Sequence, residues 1–355
     1  MPPRKKKTER EDETTAEAAA EVAPAPKKTR KDAKKVESDG EDEPSPVRKR
    51  SSSGATITEE SVLAGTVPFQ RKTTDKDFDP KKMWKFITWN VAGLRAVCRN
   101  GTELQDLIKQ ENPDVLCIQE VKVQDLEEAA GLGQIPGYSF EDCVSTSKKG
   151  YSGTRTYIKD GIKFKNQKAP FFGDTGKTED DEGRILTTQI DAGSGSPLYV
   201  VNSYVPNSGM KLERLEYRDQ TFDPQMRNYL HHLQTSKAPV IWTGDLNVAE
   251  RDYDRFFNNW KAMCKCPGFT PEERVSFRKT LEETKMVDSL RHLYPNAHKV
   301  YTFWSKMFNQ RAKGNGWRLD YFVVSQQLAS KIVDCFPLPD FKSSDHVPLV
   351  LWLQR

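Results

Sequence analysis

The sequence predicts a single α/β domain, because short apolar runs with strand character alternate with helix-start signals along most of its length. These runs recur from Trp84 to the last residue without a low-complexity break. They are rich in β-branched and aromatic side chains, as buried strands are. Each ends in, or is flanked by, polar residues; they cover residues 85–89, 114–119, 198–203, 239–244, 319–324 and 347–353.

Helix signals lie between these runs. Thr102 begins a Thr-Glu-Leu-Gln capping-box pattern, followed by apolar residues at helical spacing and an Asn-Pro stop. Thr270 stands three residues before Glu273 in a second capping-box pattern. Residues 214–233 also have helical character, but Pro224 must begin a new helix or kink this one. Strands and helices in this order predict a sandwich whose strand ends meet at one polar mouth.

The first 80 residues have a different composition. From Met1 to about Thr66 there is no aromatic residue, and Lys, Glu, Asp, Ser and Pro dominate. Such a segment cannot bury enough apolar surface to offset the entropy of ordering, so we expect residues 1–80 to be a disordered tail and residues 81–355 to be the folded domain. Basic clusters at residues 4–7, 27–35 and 48–50 fit a nuclear import signal or a merely solvated tail.

Charge and cysteine content narrow the functional classes. The formal net charge is +4, and residues 1–80 contain 17 basic and 17 acidic residues, so the excess belongs to the domain. This excess is a weak indication of a polyanionic partner. The six cysteines lack paired Cys-x-x-Cys spacing, which favours reduced thiols over a disulfide framework or a zinc site. No run of 18 apolar residues occurs, so we expect no membrane span.

Several of the apolar runs lead into oxygen-donating side chains. A single Asp or Asn in such a place usually caps a helix or starts a turn. The collection, however, consists of hard donors without cysteine or paired histidine, which favours Mg²⁺ or Mn²⁺ over zinc and indicates phosphate chemistry. These residues are Asn90, Glu120, Asp245, Asn247 and Asp345.

One histidine stands out. His346 lies in Ser-Ser-Asp-His-Val-Pro-Leu, directly before an apolar run. It is either a core histidine with satisfied hydrogen bonds or an imidazolium that a carboxylate orients toward a phosphate.

Seven motifs, in order along residues 83–355, together resemble one known family. They are WNVAGLRA at residues 89–96, PDVLCIQEVK at 113–122, YVPN at 204–207, GDLNVA at 244–249, YTFW at 301–304, WRLDY at 317–321 and SDH at 344–346. This set is similar to the exonuclease III family of apurinic/apyrimidinic endonucleases, particularly its vertebrate-type members. The resemblance implies the four-layered α/β sandwich of the endonuclease/exonuclease/phosphatase superfamily, with two β-sheets packed between helices.

The resemblance also implies an activity. It is a Mg²⁺-dependent endonuclease, with Mn²⁺ as a substitute, that hydrolyses double-stranded DNA on the 5′ side of an abasic site during base excision repair. The products are a 3′-hydroxyl and a 5′-deoxyribose phosphate. Accessory 3′-phosphodiesterase and 3′-to-5′ exonuclease activities stay open, as do other repair proteins as partners. We expect a nuclear, monomeric protein.

The metal ligands and the base follow from the same resemblance. It implies that Glu120 is the principal metal carboxylate, with Asp345 and Asn90 close to it. Asp245 corresponds to the group that positions and deprotonates the attacking water. The amide of Asn247 can donate to the phosphoryl oxygens, and both Asp245 and Asn247 also belong to the implied metal neighbourhood.

The resemblance also implies a second set of residues, which contact the substrate phosphate. His346 and Asp320 resemble a phosphate-binding dyad. Tyr204 resembles a donor to the phosphate; a phenolate role is the alternative, but an unperturbed phenol has a pKa of about 10, which favours the donor role. Asn207 would position the phosphate or Asp245.

Lesion selectivity is implied by another patch. Phe303, Trp317 and Leu319 resemble an apolar pocket for a flipped sugar that lacks its base, although an aromatic cluster is more often core. Met307 resembles a side chain that wedges into the minor groove. Residues that resemble sequence-independent contacts to the DNA backbone are Arg95, Lys122, Tyr151 and Arg184.

Three positions depart from the family pattern, and two rival functions remain. Ala92 stands where Asp or Asn is usual near the metal, and Met210 stands where vertebrate-type members have an inserted Arg. Thr88 stands where a redox-active Cys of vertebrate members would lie, which argues against a thiol-based side function. A phosphatase, deadenylase or lipid-headgroup hydrolase of the superfamily would keep the polar strand ends but would not need the apolar pocket. A DNA-binding scaffold with a decayed site would not need the intact carboxylates.

Overall fold

The computed structural model describes residues 56–99, 103–167, 180–193 and 197–355. The described residues belong to one compact unit, Ala55–Arg355. Its strands are β1 (Val67–Pro68), β2 (Met83–Asn90), β3 (Val115–Gln119), β4 (Tyr138–Cys143), β5 (Thr154–Lys159), β6 (Phe164–Gln167), β7 (Ile185–Asp191), β8 (Pro197–Tyr204), β9 (Val240–Asp245), β10 (Met286–Asp288), β11 (Ala297–His298), β12 (Asp320–Ser325), β13 (Ile332–Pro337) and β14 (Leu349–Gln354). Its helices are α1 (Glu59–Leu63), α2 (Leu94–Arg99), α3 (Glu103–Glu111), α4 (Leu126–Gly131), α5 (Leu215–Tyr217), α6 (Asp223–Thr235), α7 (Trp260–Met263), α8 (Pro271–Thr284) and α9 (Ser289–Leu293).

The strands form two six-stranded mixed sheets and a small two-stranded one. One large sheet has the order β10-β12-β9-β8-β7-β6, and the other has the order β13-β14-β2-β3-β5-β4. Within them, β8 and β9 are parallel, as are β2 and β3, and the other pairs are antiparallel. The small sheet pairs β1 with β11.

Alternation along the central strands creates four layers. Phe86 on β2 and Ile241 on β9 share one buried cluster between the two large sheets. The next residue on β2, Ile87, points the other way and packs with Leu107 of α3. On the opposite outer face, Trp242 of β9 packs against α6 and α8. Because each central strand buries both faces, its sequence is nearly continuously apolar, and the predicted four-layered α/β sandwich is confirmed.

The helix signals that fall within the described residues are confirmed. The Thr270 hydroxyl accepts from the backbone of Glu273, whose carboxylate returns to Thr270, and α8 starts at this capping box. Pro224 lies in the first turn of α6, where its missing N–H does no harm. A π-helical turn at residues 218–222 precedes α6. Thr102, the other predicted N-cap, lies outside the described residues.

The folded domain begins earlier in the sequence than the predicted boundary at residue 80. Residues 56–80 pack on the domain: β1 pairs with β11, and the Phe69 ring lies 5.0 Å from the Tyr294 ring. Arg71 Nε donates to the buried Asp334 at 2.9 Å. These partners are distant in sequence, which is why local composition failed to reveal them. Residues 1–55, with the basic clusters of the predicted tail, lie outside the described residues. Among the helices that are described, none has the length and apolar character needed to cross a bilayer.

Candidate active site

Neighbouring strand ends bring polar side chains to one edge of the sandwich. Asp320 at the start of β12 lies opposite Asp245 at the end of β9, and Tyr204 at the end of β8 lies opposite the same Asp245. Asn90 ends β2 in the other sheet. Its Nδ2 donates to Asp245 Oδ2 at 2.9 Å, so a buried hydrogen bond joins the two sheets at this edge.

Asn90 also fixes a second carboxylate. Its Nδ2 donates to Glu120 Oε1 at 2.8 Å, and Lys122 Nζ lies 2.5 Å from Glu120 Oε2. Burial opposes ionisation of Glu120, but Lys122 and Asn90 outweigh it and lower its pKa. Glu120 has a φ of 55°, a left-handed conformation that glutamate rarely adopts. The carboxylate is therefore ionised and held in place by its surroundings.

The loop after β9 is shaped by one glycine and two amides. Gly244 has a φ of 133°, and a Cβ there would lie 1.9 Å from the Ser203 carbonyl oxygen, so only glycine fits. Asn247 donates its backbone N–H to Asp245 Oδ1 at 3.0 Å. Asn207 Nδ2 donates to Asn247 Oδ1 at 3.0 Å. The Asn247 backbone thus holds one oxygen of the Asp245 carboxylate, Asn90 holds the other, and Asn207 fixes the side chain of Asn247.

His346 is buried between two carboxylates. Its Nδ1 lies 2.8 Å from Asp320 Oδ2, and its Nε2 lies 3.7 Å from Asp245 Oδ2, which is beyond hydrogen-bonding distance. Burial disfavours the charged ring, but the charges of Asp320 and Asp245 prevail and raise the pKa of His346 to about 10. Its backbone N–H is held by Ser344 Oγ at 3.1 Å. The ring is an oriented imidazolium at neutral pH rather than an uncharged core histidine.

The pKa values of two neighbouring acids are raised. Burial, together with the charges of Asp320 and Glu120, raises the pKa of Asp245 to about 7, against the lowering effect of His346. Tyr204 is hydrogen-bonded to Glu120, and burial and the nearby carboxylates raise its pKa well above the usual value. Asp245 is therefore poised to exchange a proton near neutral pH, whereas Tyr204 stays protonated and keeps a hydroxyl hydrogen that it can donate.

The donor set fits a cation. Ligand atoms of Asp245, Asp320 and His346 lie within 4.8 Å of one another, and Asp320 Oδ1 is buried without a hydrogen-bond partner. A protonated imidazole has no lone pair for a metal, however, so the oxygen donors around Asn90 and Glu120 suit a hard cation better than this triad does. Asp345 lies at the rim, where Lys306 Nζ is 3.9 Å from its Oδ1.

An apolar wall stands next to the imidazolium. The Phe303 ring centroid is 4.8 Å from that of His346. Leu319 is buried in a small cluster with Phe269, while Phe303 and Trp317 are only partly buried at its edge. Part of the predicted pocket is thus core, as the alternative interpretation held, but its two aromatic rings are partly exposed, and the ring of Phe303 contacts His346.

Comparisons with known proteins agree with this geometry. Residues 87–346 match the model of the endonuclease/exonuclease/phosphatase family. The chain belongs to this family. It is 40% identical over 268 residues to the DNA-(apurinic or apyrimidinic site) endonuclease of Dictyostelium discoideum, covering 75% of this chain and 69% of that protein. It is 39% identical over 285 residues to the DNA repair nuclease APEX1 of Danio rerio, covering 79% and 86%. The crystal structure of an AP endonuclease from Leishmania major matches with a TM-score of 0.80 at 48% identity, covering 85% of this chain and 97% of that one.

In this member of the endonuclease/exonuclease/phosphatase family, the predicted DNA contacts differ in burial: the Arg184 side chain is buried, whereas Arg95, Lys122 and Tyr151 are partly exposed. Tyr151 accepts hydrogen bonds from Arg184 at 2.6 Å and from Arg214 at 2.9 Å. Arg95 Nη2 donates to Glu128 at 2.8 Å. Lys122 contacts Glu120, as described above, and so lies closer to the strand-end carboxylates than a simple contact with the DNA backbone requires. Met307 is 54% exposed.

Sequence reasoning missed three positioning residues. The buried Arg218, in the π-helical turn, donates to the carbonyl oxygens of Asn247 at 2.6 Å and Leu246 at 2.8 Å. Ser344 Oγ donates to the Asn90 carbonyl at 2.7 Å and also holds His346. Arg214 shares Tyr151 with Arg184. Only Ser344 had a local signal, since a serine hydroxyl can accept from the backbone N–H two residues on; the arginines act across long sequence distances.

Proposed function

We propose that this protein is an endonuclease of base excision repair that hydrolyses double-stranded DNA on the 5′ side of an abasic site. The observation that carries the proposal is the imidazolium of His346 lying 4.8 Å from the aromatic wall formed by Phe303. Such an arrangement places a phosphate-binding cation beside a partly exposed aromatic surface that suits a sugar without a base. The names of the family relatives described above agree with it, whereas a phosphatase or lipid hydrolase would not need that wall.

The reaction follows from the protonation states. Asp245, deprotonated, accepts a proton from a water molecule whose oxygen attacks the phosphorus. The bond between phosphorus and the 3′ oxygen of the upstream nucleotide breaks, and that oxygen takes a proton from solvent water, so the products are a 3′-hydroxyl and a 5′-deoxyribose phosphate. His346, held by Asp320, donates through Nε2–H to a non-bridging oxygen, and Tyr204 donates from the other side. Positive charge is therefore already in place where negative charge develops.

The proposed cofactor is Mg²⁺, with Mn²⁺ as a substitute. Glu120, Asn90 and Asp345 would hold it, with Asp245 and Asn247 close by, because these are the hard oxygen donors of the site. When bound, the ion would stabilise charge on the phosphate and on the leaving oxygen.

The decisive experiment uses a duplex with a single tetrahydrofuran, a stable abasic analogue. The purified protein is incubated with this duplex or the undamaged one, in Mg²⁺ or in EDTA. We expect one metal-dependent cut 5′ of the tetrahydrofuran, with a 3′ end that a polymerase can extend. Equal cutting of both duplexes, or no cut, would overturn the proposal.

The pH profile of this reaction is expected to be bell-shaped. Activity needs Asp245 unprotonated, so it rises with pH through a pKa of about 7. It also needs His346 protonated, so it falls as pH passes a pKa of about 10. Single-turnover rates across this range measure both limbs. A rate that declines steadily from acid to neutral pH would contradict the assignment of Asp245 as base.

Ala92 offers a test of the metal site. Its φ is 51°, a conformation that Asp and Asn tolerate better than Ala. Ala92→Asp adds a charge near the carboxylates and is expected to lower the Mg²⁺ concentration that gives half-maximal rate. Ala92→Asn is the matched control, because it has the same backbone preference without the charge. Mg²⁺ titrations that give identical midpoints for both variants would place the metal elsewhere.

We further propose that the protein acts as a monomer in the nucleus, with the basic clusters before residue 55 as the import signal. The motivation is the alternation of basic and acidic blocks in this segment. A fluorescent fusion that lacks residues 1–54 is expected to lose nuclear accumulation and to keep cutting the tetrahydrofuran duplex. Nuclear accumulation of that truncated fusion would contradict the proposal.

A further inference from the structure

A buried ion pair lies behind the loop that follows β9. Arg218 and Glu273 are both buried, and Arg218 Nη1 donates to Glu273 Oε1 at 3.1 Å. The pair joins elements that are distant in sequence, because Arg218 lies in the π-helical turn before α6 and Glu273 lies in the first turn of α8. Removing two charges from water is costly, so a gain in stability does not by itself account for a pair at this depth.

The guanidinium of Arg218 orients one peptide group beside Asp245. Its Nη2 donates to the Leu246 carbonyl at 2.8 Å, and its Nη1 donates to the Asn247 carbonyl at 2.6 Å. The Leu246 carbonyl and the Asn247 N–H belong to the same trans peptide group, so they point in opposite directions. With its carbonyl held by Arg218, this peptide group directs its N–H to Asp245 Oδ1 at 3.0 Å. A rotated peptide group would leave that carboxylate oxygen without this donor.

The backbone of Asn247 requires such support. Its φ is 49°, in the left-handed region. Asparagine enters this region more readily than most residues, but right-handed and extended conformations are still favoured for it. Hydrogen bonds from a charged donor are stronger than those between neutral groups. The two bonds from Arg218 therefore stabilise a loop conformation that the sequence alone would populate only in part.

Glu273 in turn holds the guanidinium and three further loop segments. Its Oε1 also accepts from Ser208 Oγ at 2.5 Å, on the loop after β8 that carries Asn207. Its Oε2 accepts from the backbone N–H groups of Gly268 at 2.7 Å and Thr270 at 3.1 Å. One carboxylate thus connects the start of α8 with the loops that follow two neighbouring strands of the catalytic edge.

We propose that Glu273 and Arg218 act as one positioning pair, which fixes the peptide group between Leu246 and Asn247 and thereby aims the Asp245 carboxylate at the attacking water. Both side chains are buried behind the loop and act through this peptide group rather than on the substrate. Loss of the pair should therefore slow the chemical step without weakening DNA binding. The inference rests on the proposed function and adds to it the residues that set the geometry of the base.

The test compares three variants. Arg218→Lys keeps the charge, but an ammonium group cannot reproduce the fork of the guanidinium. The double variant Arg218→Met with Glu273→Gln removes both charges, so it leaves no buried charge unpaired and carries the test if the lysine variant does not fold. Arg227→Lys is the matched control, because Arg227 is also buried but donates to Ser276 and Thr280 of α8.

Two kinds of measurement are made well below the unfolding temperature of each variant. Hydrogen exchange followed by mass spectrometry reports the protection of the amides of residues 246–249 and of α6. Single-turnover cleavage rates in Mg²⁺ and dissociation constants in EDTA, both with the tetrahydrofuran duplex, separate chemistry from binding.

Arg218→Lys and the double variant are expected to slow single-turnover cleavage by between about 10-fold and 100-fold, the scale of an error of about 1 Å in the position of a reacting group. Their dissociation constants should equal that of wild type. Exchange at residues 246–249 should become faster, because the Asn247 N–H is no longer directed to a fixed acceptor. Arg227→Lys should keep the wild-type cleavage rate and wild-type exchange at residues 246–249.

Three results would overturn the inference: a wild-type cleavage rate for Arg218→Lys, an equal loss of rate for Arg227→Lys, or a loss of rate with unchanged exchange at residues 246–249. A parallel loss of DNA binding would do the same, since it would indicate general damage to the fold. Wild-type protein that does not cut at tetrahydrofuran would overturn the proposed function and the catalytic part of the inference. The exchange rates would still test whether the pair holds this peptide group.

Discussion

Replacing His346 with asparagine is expected to slow cleavage at an abasic site by at least about 100-fold to 1000-fold, the range seen when one preorganised transition-state donor is removed. Asparagine keeps a hydrogen-bond donor but loses the charge. In this protein the charge is secured by Asp320 at 2.8 Å and by Asp245 at 3.7 Å, which keep the ring protonated at neutral pH. The negative phosphate would then face two carboxylates without a fixed cation between them.

Single-turnover rates at saturating protein isolate this chemical step from binding. The variant should also lose the alkaline limb of the pH profile, because that limb reports the deprotonation of His346. Asp320→Asn should have a smaller effect, since the ring remains while its orientation and charge weaken. His292→Asn, at an exposed histidine, is the matched control and should match wild type. A wild-type rate for His346→Asn would show that His346 and Asp320 do not stabilise the transition state.

The buried strands and the polar ends of several of them could be predicted from the sequence because the information is local. A run such as residues 239–244 is apolar on both faces only if the strand is covered on both faces. The side chain at its end must then lie at the sheet edge. Asp245 was found in this way, and the register places Asp320 directly beside it.

The contacts that give these residues their chemistry could not be predicted from local pattern. Asn90 joins Glu120 and Asp245 only because β2 and β9, from different sheets, meet at one edge. The high pKa of His346 depends on two carboxylates that lie far from it in sequence. The contact between Arg71 and Asp334 also joins residues that lie far apart in sequence, and it shows that the folded domain begins before residue 80. Each of these contacts depends on the tertiary fold, so the local composition of the sequence does not predict it.

A buried charge network behind the pocket is a further example of such pairing. Arg318 stands between Trp317 and Leu319, and its guanidinium donates to both oxygens of Asp254 at 2.9 and 2.8 Å and to Asp288 at 2.8 Å. Arg291 also donates to Asp254. Burial alone would raise the pKa of Asp254, but the two arginines prevail and hold it well below its usual range. Asp254 thus contacts both buried arginines, Asp288 adds a second negative charge at Arg318, and the network fixes the segment that leads into β12 and carries two pocket residues.

Removing that carboxylate by Asp254→Ala is expected to lower the free energy of unfolding by about 3–5 kcal/mol, because Arg318 and Arg291 then remain buried without full compensation. Asp75→Ala, which removes the exposed partner of Arg71, is the control and should cost less than about 1 kcal/mol. Urea unfolding measures the free energy of unfolding of both variants.

The stabilisation by Asp254 is expected to depend on pH. Since the pKa of Asp254 is depressed in the folded protein, its contribution to stability is present above the unfolded pKa of about 3.9 and is lost as pH falls toward the folded value. The difference between wild type and Asp254→Ala should therefore shrink in acid. A difference below about 1 kcal/mol at neutral pH would show that water or a local rearrangement compensates the arginines, and that the network does not hold the pocket strand.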